Sequence, residues 1–130
     1  MNFNLLIPTV VVAMAAAATP AAAAQFRPFD TRAFAAAQAQ GRPILVDVSA
    51  DWCSTCRVQE KHIAKITSDP AFAKLIVFKL NYDTQKAERR RFKVPRQSTL
   101  IVFRGRREAG RSVADTNPGS IEALLRKALG

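Results

Sequence analysis

Ile44-Leu45-Val46-Asp47-Val48-Ser49-Ala50-Asp51-Trp52-Cys53-Ser54-Thr55-Cys56-Arg57 is the stretch on which the fold turns. Ile44 to Val48 is a run of β-branched residues plus Leu45, interrupted only by Asp47, which predicts a strand buried on both faces. From Cys56 onward the apolar spacing turns helical, with Cys56, Ile63 and Ile66 near one face. The only two cysteines therefore sit where a strand hands over to a helix.

At the first turn of a helix the backbone N–H groups lack intrahelical partners and the macrodipole places partial positive charge there. A thiolate is stabilised at that place, so Cys53 is expected to have a lowered pKa and to act as a nucleophile near neutral pH. Cys56 lies three residues on, within reach of the same sulfur. Asp47 stands on an otherwise apolar strand, where ionisation is costly, and a carboxyl raised in this way is a usable base near neutral pH.

These residues resemble the active-site segment of the thioredoxin superfamily, apolar-Val-Asp-x-x-Ala-acid-Trp-Cys-x-x-Cys-base. The Ala50-Asp51-Trp52-Cys53 wording is most similar to the periplasmic C-terminal thioredoxin-like domain of the disulfide reductase DsbD. The resemblance runs from about Phe29 to Leu129. It implies an α/β thioredoxin-like fold, a central mixed β-sheet flanked by helices, with no bound cofactor. It further implies Cys53 as the attacking thiolate, Cys56 as the resolving thiol and Asp47 as acceptor of the Cys56 proton. Trp52 would be a platform beside Cys53 for the incoming disulfide.

The family carries a cis-proline immediately before the Thr that opens its fourth strand. Here Val94-Pro95-Arg96-Gln97-Ser98-Thr99 puts Ser98 in that place, and Pro95 falls three residues too early. A cis bond before a non-proline residue costs ~3–4 kcal/mol, so the Gln97–Ser98 bond is either strained or trans. In the family this loop faces the cysteines and its backbone holds the substrate strand, which implies Trp52, Ser98 and Thr99 as substrate-binding residues. The loss of the proline ring bears on substrate choice and makes metal binding by the thiols more plausible.

A chain of 130 residues suits one domain. Two cysteines do not make a disulfide scaffold, and with one histidine a single protomer cannot supply the four ligands of a closed zinc site. Residues 1–24 carry no charged side chain, so the formal net charge of +10 belongs wholly to residues 25–130. Such a balance favours acidic proteins, anionic membranes or nucleic acid as partners.

Leu5 to Ala24 is apolar and small, and it ends Ala22-Ala23-Ala24, which predicts a secretory signal peptide over 1–24, cleaved near Ala24, and a periplasmic domain over 25–130. The alternative is a retained anchor, since about 20 residues just span a bilayer. Asp30 or Thr31 is placed to cap a helix through Phe34 to Gln40, alanine-rich and expected to pack against little, and Gly41 ends it. The helix holding the cysteines ends near Thr67, and Ser68-Asp69-Pro70 opens a further helical turn. Leu75 to Tyr82 reads as a strand, with Asp83 or Thr84 capping a charged helix over Gln85 to Phe92. Thr99 to Phe103 and Glu108 to Ala114 read as an antiparallel hairpin turning at Gly105. Thr116 or Asn117 caps a last helix opened by Pro118, with Ile121, Leu124, Leu125 and Leu129 as its apolar stripe.

His62 falls on roughly the opposite side of its helix from Cys53 and is read as packed or solvated rather than as ligand or base. Arg89, Arg90, Arg91, Lys93 and Arg96, with Arg104, Arg106, Arg107 and Arg111, form a candidate basic surface near the Ser98 loop, able to steer an acidic partner or anionic lipid. The expected function is an exported thiol–disulfide oxidoreductase acting on protein disulfides and dithiols, with a reductase role and a membrane electron donor suggested by the DsbD-like wording. The alternative is a thiolate metal-binding or metal-delivery protein using ligands from a dimer mate. Nucleic acid is not an expected partner, because only charge suggests it and no aromatic-basic interleaving accompanies that charge.

Overall fold

A computed structural model describes residues 10–18 and 23–130. The start of the expected signal, Met1 to Asn4, and Ala22 of its expected cleavage site lie outside the described residues. No helix among the described residues is long and apolar enough to cross a membrane.

The central strand forms where the apolar run predicts it: β2, Pro43–Ser49. Before it come β1, Gln25–Pro28, and α1, Thr31–Ala39; after it come α2, Ser54–Ile66, and a 3-10 turn, Pro70–Phe72. The chain continues through β3, Ile76–Asn81, α3, Lys86–Arg91, the hairpin β4, Thr99–Arg104, and β5, Arg107–Val113, and ends in α4, Pro118–Arg126. The sheet order is β1-β3-β2-β4-β5. β1 and β2 both run parallel to β3, while β4 runs antiparallel to β2 and to β5.

β1 was not expected. Gln25-Phe26-Arg27-Pro28 has no apolar alternation and ends in proline, but at a sheet edge proline's missing N–H is tolerated. Two other expectations give way to the structure. α1 does pack, through Phe34, whose ring lies 5.3–5.9 Å from those of Phe29, Phe78, Phe92 and Phe103. Neither Asp83 nor Thr84 caps α3, which starts from Gln85 with no side-chain cap. Instead the backbone N–H groups of Asp83 and Thr84 both donate to Asn81 Oδ1, at 2.9 and 3.1 Å.

Alternation along β2 divides the core. Ile44, Val46 and Val48 join the phenylalanine cluster on the α1 and α3 face, whereas Leu45 packs with Ile63 of α2 and with Ile121, Leu124 and Leu125 of α4. Burying each such aliphatic side chain contributes ~1.5–3 kcal/mol, which holds α2 and α4 to that face. Asp47 has the parity of Leu45 and so faces α2, the helix whose first turn holds the cysteines.

Candidate active site

β2 ends at Ser49, and a turn through Ala50-Asp51-Trp52 brings the chain to Cys53, the N-cap of α2. Cys53 is extended, with φ −88° and ψ 105°, and its Sγ accepts the backbone N–H of Cys56 at 3.1 Å. A sulfur thus fills the capping position that an oxygen usually fills, taking one of the N–H groups the helix cannot use internally. The turn is closed by Cys53 N–H donating to Ala50 O and by the Arg57 guanidinium donating to Asp51 O, each at 3.1 Å. Cys53 and Cys56 are joined as a disulfide, 3% and 1% exposed.

Asp47 lies buried on the face of β2 that α2 covers, and its Oδ1 has no hydrogen-bond partner. Burial, reinforced by the Glu60 carboxylate and opposed by Lys79, pushes its pKa up to about 7. Lys79 is the register partner of Asp47 on β3 and donates to Glu60 at 2.7 Å. Partial burial works against the Lys79 charge, yet Glu60, Asp47 and Asp51 together hold its pKa above the ordinary value. A carboxyl buried in this way, beside a lysine and a second carboxylate, can hold or release a proton near neutrality.

Trp52 is 59% exposed, and its indole N–H donates to Asp83 Oδ2 at 2.9 Å. The ring is therefore presented to solvent in a held orientation, beside the turn that carries Cys53. Ser98 and Thr99 are brought to the same end of the sheet, since Thr99 pairs with Val48, but both side chains are buried. Among the described residues there is no cis peptide, so Gln97–Ser98 is trans. Ser98 makes its turn with φ +61°, a region unfavourable to a side-chain-bearing residue and closed to proline.

That turn is held on three sides. Ser98 N–H donates to Val48 O at 2.8 Å, and its carbonyl accepts from Ala114 N–H at 3.0 Å and from Gln59 Nε2 at 3.1 Å. Gln59, wholly buried one turn after Cys56, also donates to Asp115 O at 2.9 Å. Two carbonyl partners require the amide nitrogen on that side, and they leave Oε1 buried without a donor. Thr99 turns its hydroxyl inward to Arg96 O at 2.7 Å.

Gln59, Glu60, Lys79 and Asp83 were not expected at the site. Gln59 had a readable signal, being polar at the i+3 position between Cys56 and Ile63, and so did Lys79, which breaks an apolar strand. His62 is half-buried in a groove of about 410 Å³ with Lys65, Asp69 and Glu122, away from the cysteines. Among the described residues no three His, Cys, Asp or Glu side chains gather as a metal site.

The expected basic surface divides. Arg89 stacks over Tyr82, its guanidinium carbon 4.0 Å from the ring centre, and Tyr82 packs against the cluster of Ala50, Cys53 and Cys56. Arg111 is engaged by Glu108 and by the carbonyls of Phe92 and Lys93. Arg104, Arg106 and Arg107 are not near the Ser98 loop, because β4 runs antiparallel to β2 and carries Arg104 to the level of Pro43, at the far end of the sheet.

A thioredoxin-like family profile matches residues 29–103. The chain belongs to the thioredoxin-like family. Its disulfide is the redox pair of a thiol–disulfide oxidoreductase on this fold, with Cys53 capping α2 and Cys56 one turn along. The crystal structure of Trxlp from Edwardsiella tarda EIB202 superposes with a TM-score of 0.76 at 44% identity, covering 78% of this chain and 98% of that one. Thioredoxin-2 of Saccharomyces cerevisiae is 36% identical over 85 residues, 63% of this chain and 76% of its own. The bifunctional thioredoxin reductase/thioredoxin of Mycobacterium leprae is 34% identical over 76 residues, 58% of this chain, which spans only 16% of that protein.

Proposed function

We propose that this thioredoxin-like protein is an exported reductase of protein disulfides, recharged by an electron donor in the membrane. The observation that carries the reading is the Cys53 sulfur capping α2, with a buried, proton-holding Asp47 on the strand that leads into it. In the reduced protein Cys53 attacks a substrate disulfide to form a mixed disulfide. Cys56, its proton passed toward Asp47, then attacks Cys53 Sγ, releasing the substrate as a dithiol and leaving Cys53–Cys56 oxidised. Two electrons pass to the substrate, and the donor restores both thiols.

The direction follows from charge. A strongly oxidising pair needs a strongly stabilised thiolate, and an Asp51 carboxylate two residues ahead of Cys53 works against one. The exposed Trp52 ring supports a protein rather than a small substrate, and Arg89 beside Tyr82 supports an acidic one. Export is supported by the uncharged, Ala-rich segment ahead of Gln25.

The test is equilibration with glutathione together with trapping. The reading predicts a potential nearer the ~−270 mV of thioredoxin than the ~−120 mV of the oxidising disulfide catalysts. It also predicts envelope proteins captured on Cys53 of a Cys56→Ala variant. A potential at the oxidising end rejects the reductase role, and a trap that captures only cytosolic proteins rejects the exported one.

A further inference from the structure

Antiparallel β4 places two groups of cations at opposite ends of the sheet. At the end remote from the disulfide, Arg104, Arg107, Arg126 and Lys127 line one cleft of about 210 Å³, and Arg106 stands exposed in the adjoining turn. Arg126 is matched by Glu122 at 2.7 Å. Among the described residues no carboxylate forms an ion pair with Arg104, Arg106, Arg107 or Lys127. Like charges gathered round a cleft repel until an anion meets them.

A second observation says which anion. Gln25 lies beside Ile76, Ile76 beside Ile44, and Ile44 beside Phe103, next in sequence to Arg104. The uncharged apolar segment that precedes Gln25 therefore joins the domain at the same end of the sheet as these cations, on β1, three strands across from β4. An acidic protein would match the cations alone; a bilayer with anionic head groups matches both the cations and the apolar segment. The disulfide lies past the other end of the sheet, about 17 Å away along β4.

We propose that this end of the domain docks on an anionic bilayer, with Arg104, Arg106, Arg107 and Lys127 against lipid phosphates and the Cys53–Cys56 end turned away from the surface. Docked so, the protein keeps its redox face in solution, where protein disulfides can reach it and where the proposed membrane donor must present its own thiols. The inference rests on the apolar segment ahead of Gln25 being retained as an anchor, the alternative to its cleavage, and not on the thiol chemistry.

The experiment is sedimentation of the full-length oxidised protein with vesicles of phosphatidylcholine alone or mixed with phosphatidylglycerol, at low and high salt. Each Lys or Arg near an anionic surface strengthens binding about fivefold. The combined variant Arg104→Gln, Arg107→Gln, Lys127→Gln should therefore lose about 100-fold in partitioning to the mixed vesicles while keeping wild-type thermal unfolding. The variant Arg90→Gln, Lys93→Gln, Arg96→Gln, altered at the disulfide end, should lose far less, and high salt should bring the wild type down to its binding to phosphatidylcholine. Equal partitioning to both vesicles at low salt, or equal losses in the two variants, overturns the proposal. Displacement of the wild type by inorganic phosphate at matched ionic strength also overturns it, in favour of a site for free phosphate. A failed disulfide-reduction assay with vesicle binding intact rejects the oxidoreductase reading and leaves this one standing.

Discussion

Replacing Asp47 with asparagine should abolish most of the pH dependence of this protein's stability between about pH 4 and pH 7. Buried with Oδ1 unpartnered and with Glu60 nearby, Asp47 has a pKa raised from 3.8 to about 7. Between those values the folded protein holds a proton that the unfolded chain has released. Stability is therefore highest below the unfolded value and falls as pH rises through the folded one. The rise of the Asp47 pKa from 3.8 to about 7, at ~1.4 kcal/mol per tenfold change in proton affinity, is worth ~4 kcal/mol, lost by the wild type between pH 4 and pH 8 and not by Asp47→Asn. Urea unfolding of the oxidised proteins across that range measures it. The two stabilities should differ by ~4 kcal/mol more, in the variant's favour, at pH 8 than at pH 4. Parallel wild-type and variant curves would refute the assignment of a protonated, desolvated Asp47.

Glu60→Gln removes a charge that raises the Asp47 pKa and frees Lys79, so the midpoint of the wild-type stability curve should move to lower pH; Asp47 carboxyl chemical shifts report it directly. Asp83→Ala removes the acceptor that holds the Trp52 indole, and kcat/KM for protein disulfides should fall about fivefold, for ~1 kcal/mol, with a change in tryptophan fluorescence. Gln59→Leu takes the side-chain donor from Ser98 O and Asp115 O while also removing the orphaned Oε1. It should cost ~1–2 kcal/mol in urea unfolding, and loosening of the Ser98 turn should raise KM more than it lowers kcat.

The elements that carry the site were legible because each has a local cause. β2 is an uninterrupted apolar run but for one acid, and α4 is announced by Asn117-Pro118, with the Asn117 side chain accepting from Ser120 N–H in the structure. β1 was not legible, because what makes Gln25–Pro28 a strand is its pairing with β3 and not its own sequence. The partnership of Asp47 with Lys79 needs the β2–β3 register, which no single stretch contains. At Ser98 the sequence left two conformations of the preceding bond open. The structure uses a trans bond with a positive φ, held by Val48, Ala114 and Gln59, and only the assembled fold supplies those three partners. The basic residues from Arg89 to Arg111 look continuous in sequence and are divided by β4, whose direction sets Arg96 and Arg104 at opposite ends of the sheet.

The central claim is that Cys53, the cap of α2, is the attacking sulfur and Cys56 the resolving one. Brief alkylation of the fully reduced protein at neutral pH, with the label located by mass spectrometry, tests it most directly. Cys53 should be modified at least ~10-fold faster than Cys56, and unfolding in urea should remove the difference. Equal labelling of the two cysteines in the folded protein, or faster labelling of Cys56, would contradict the account.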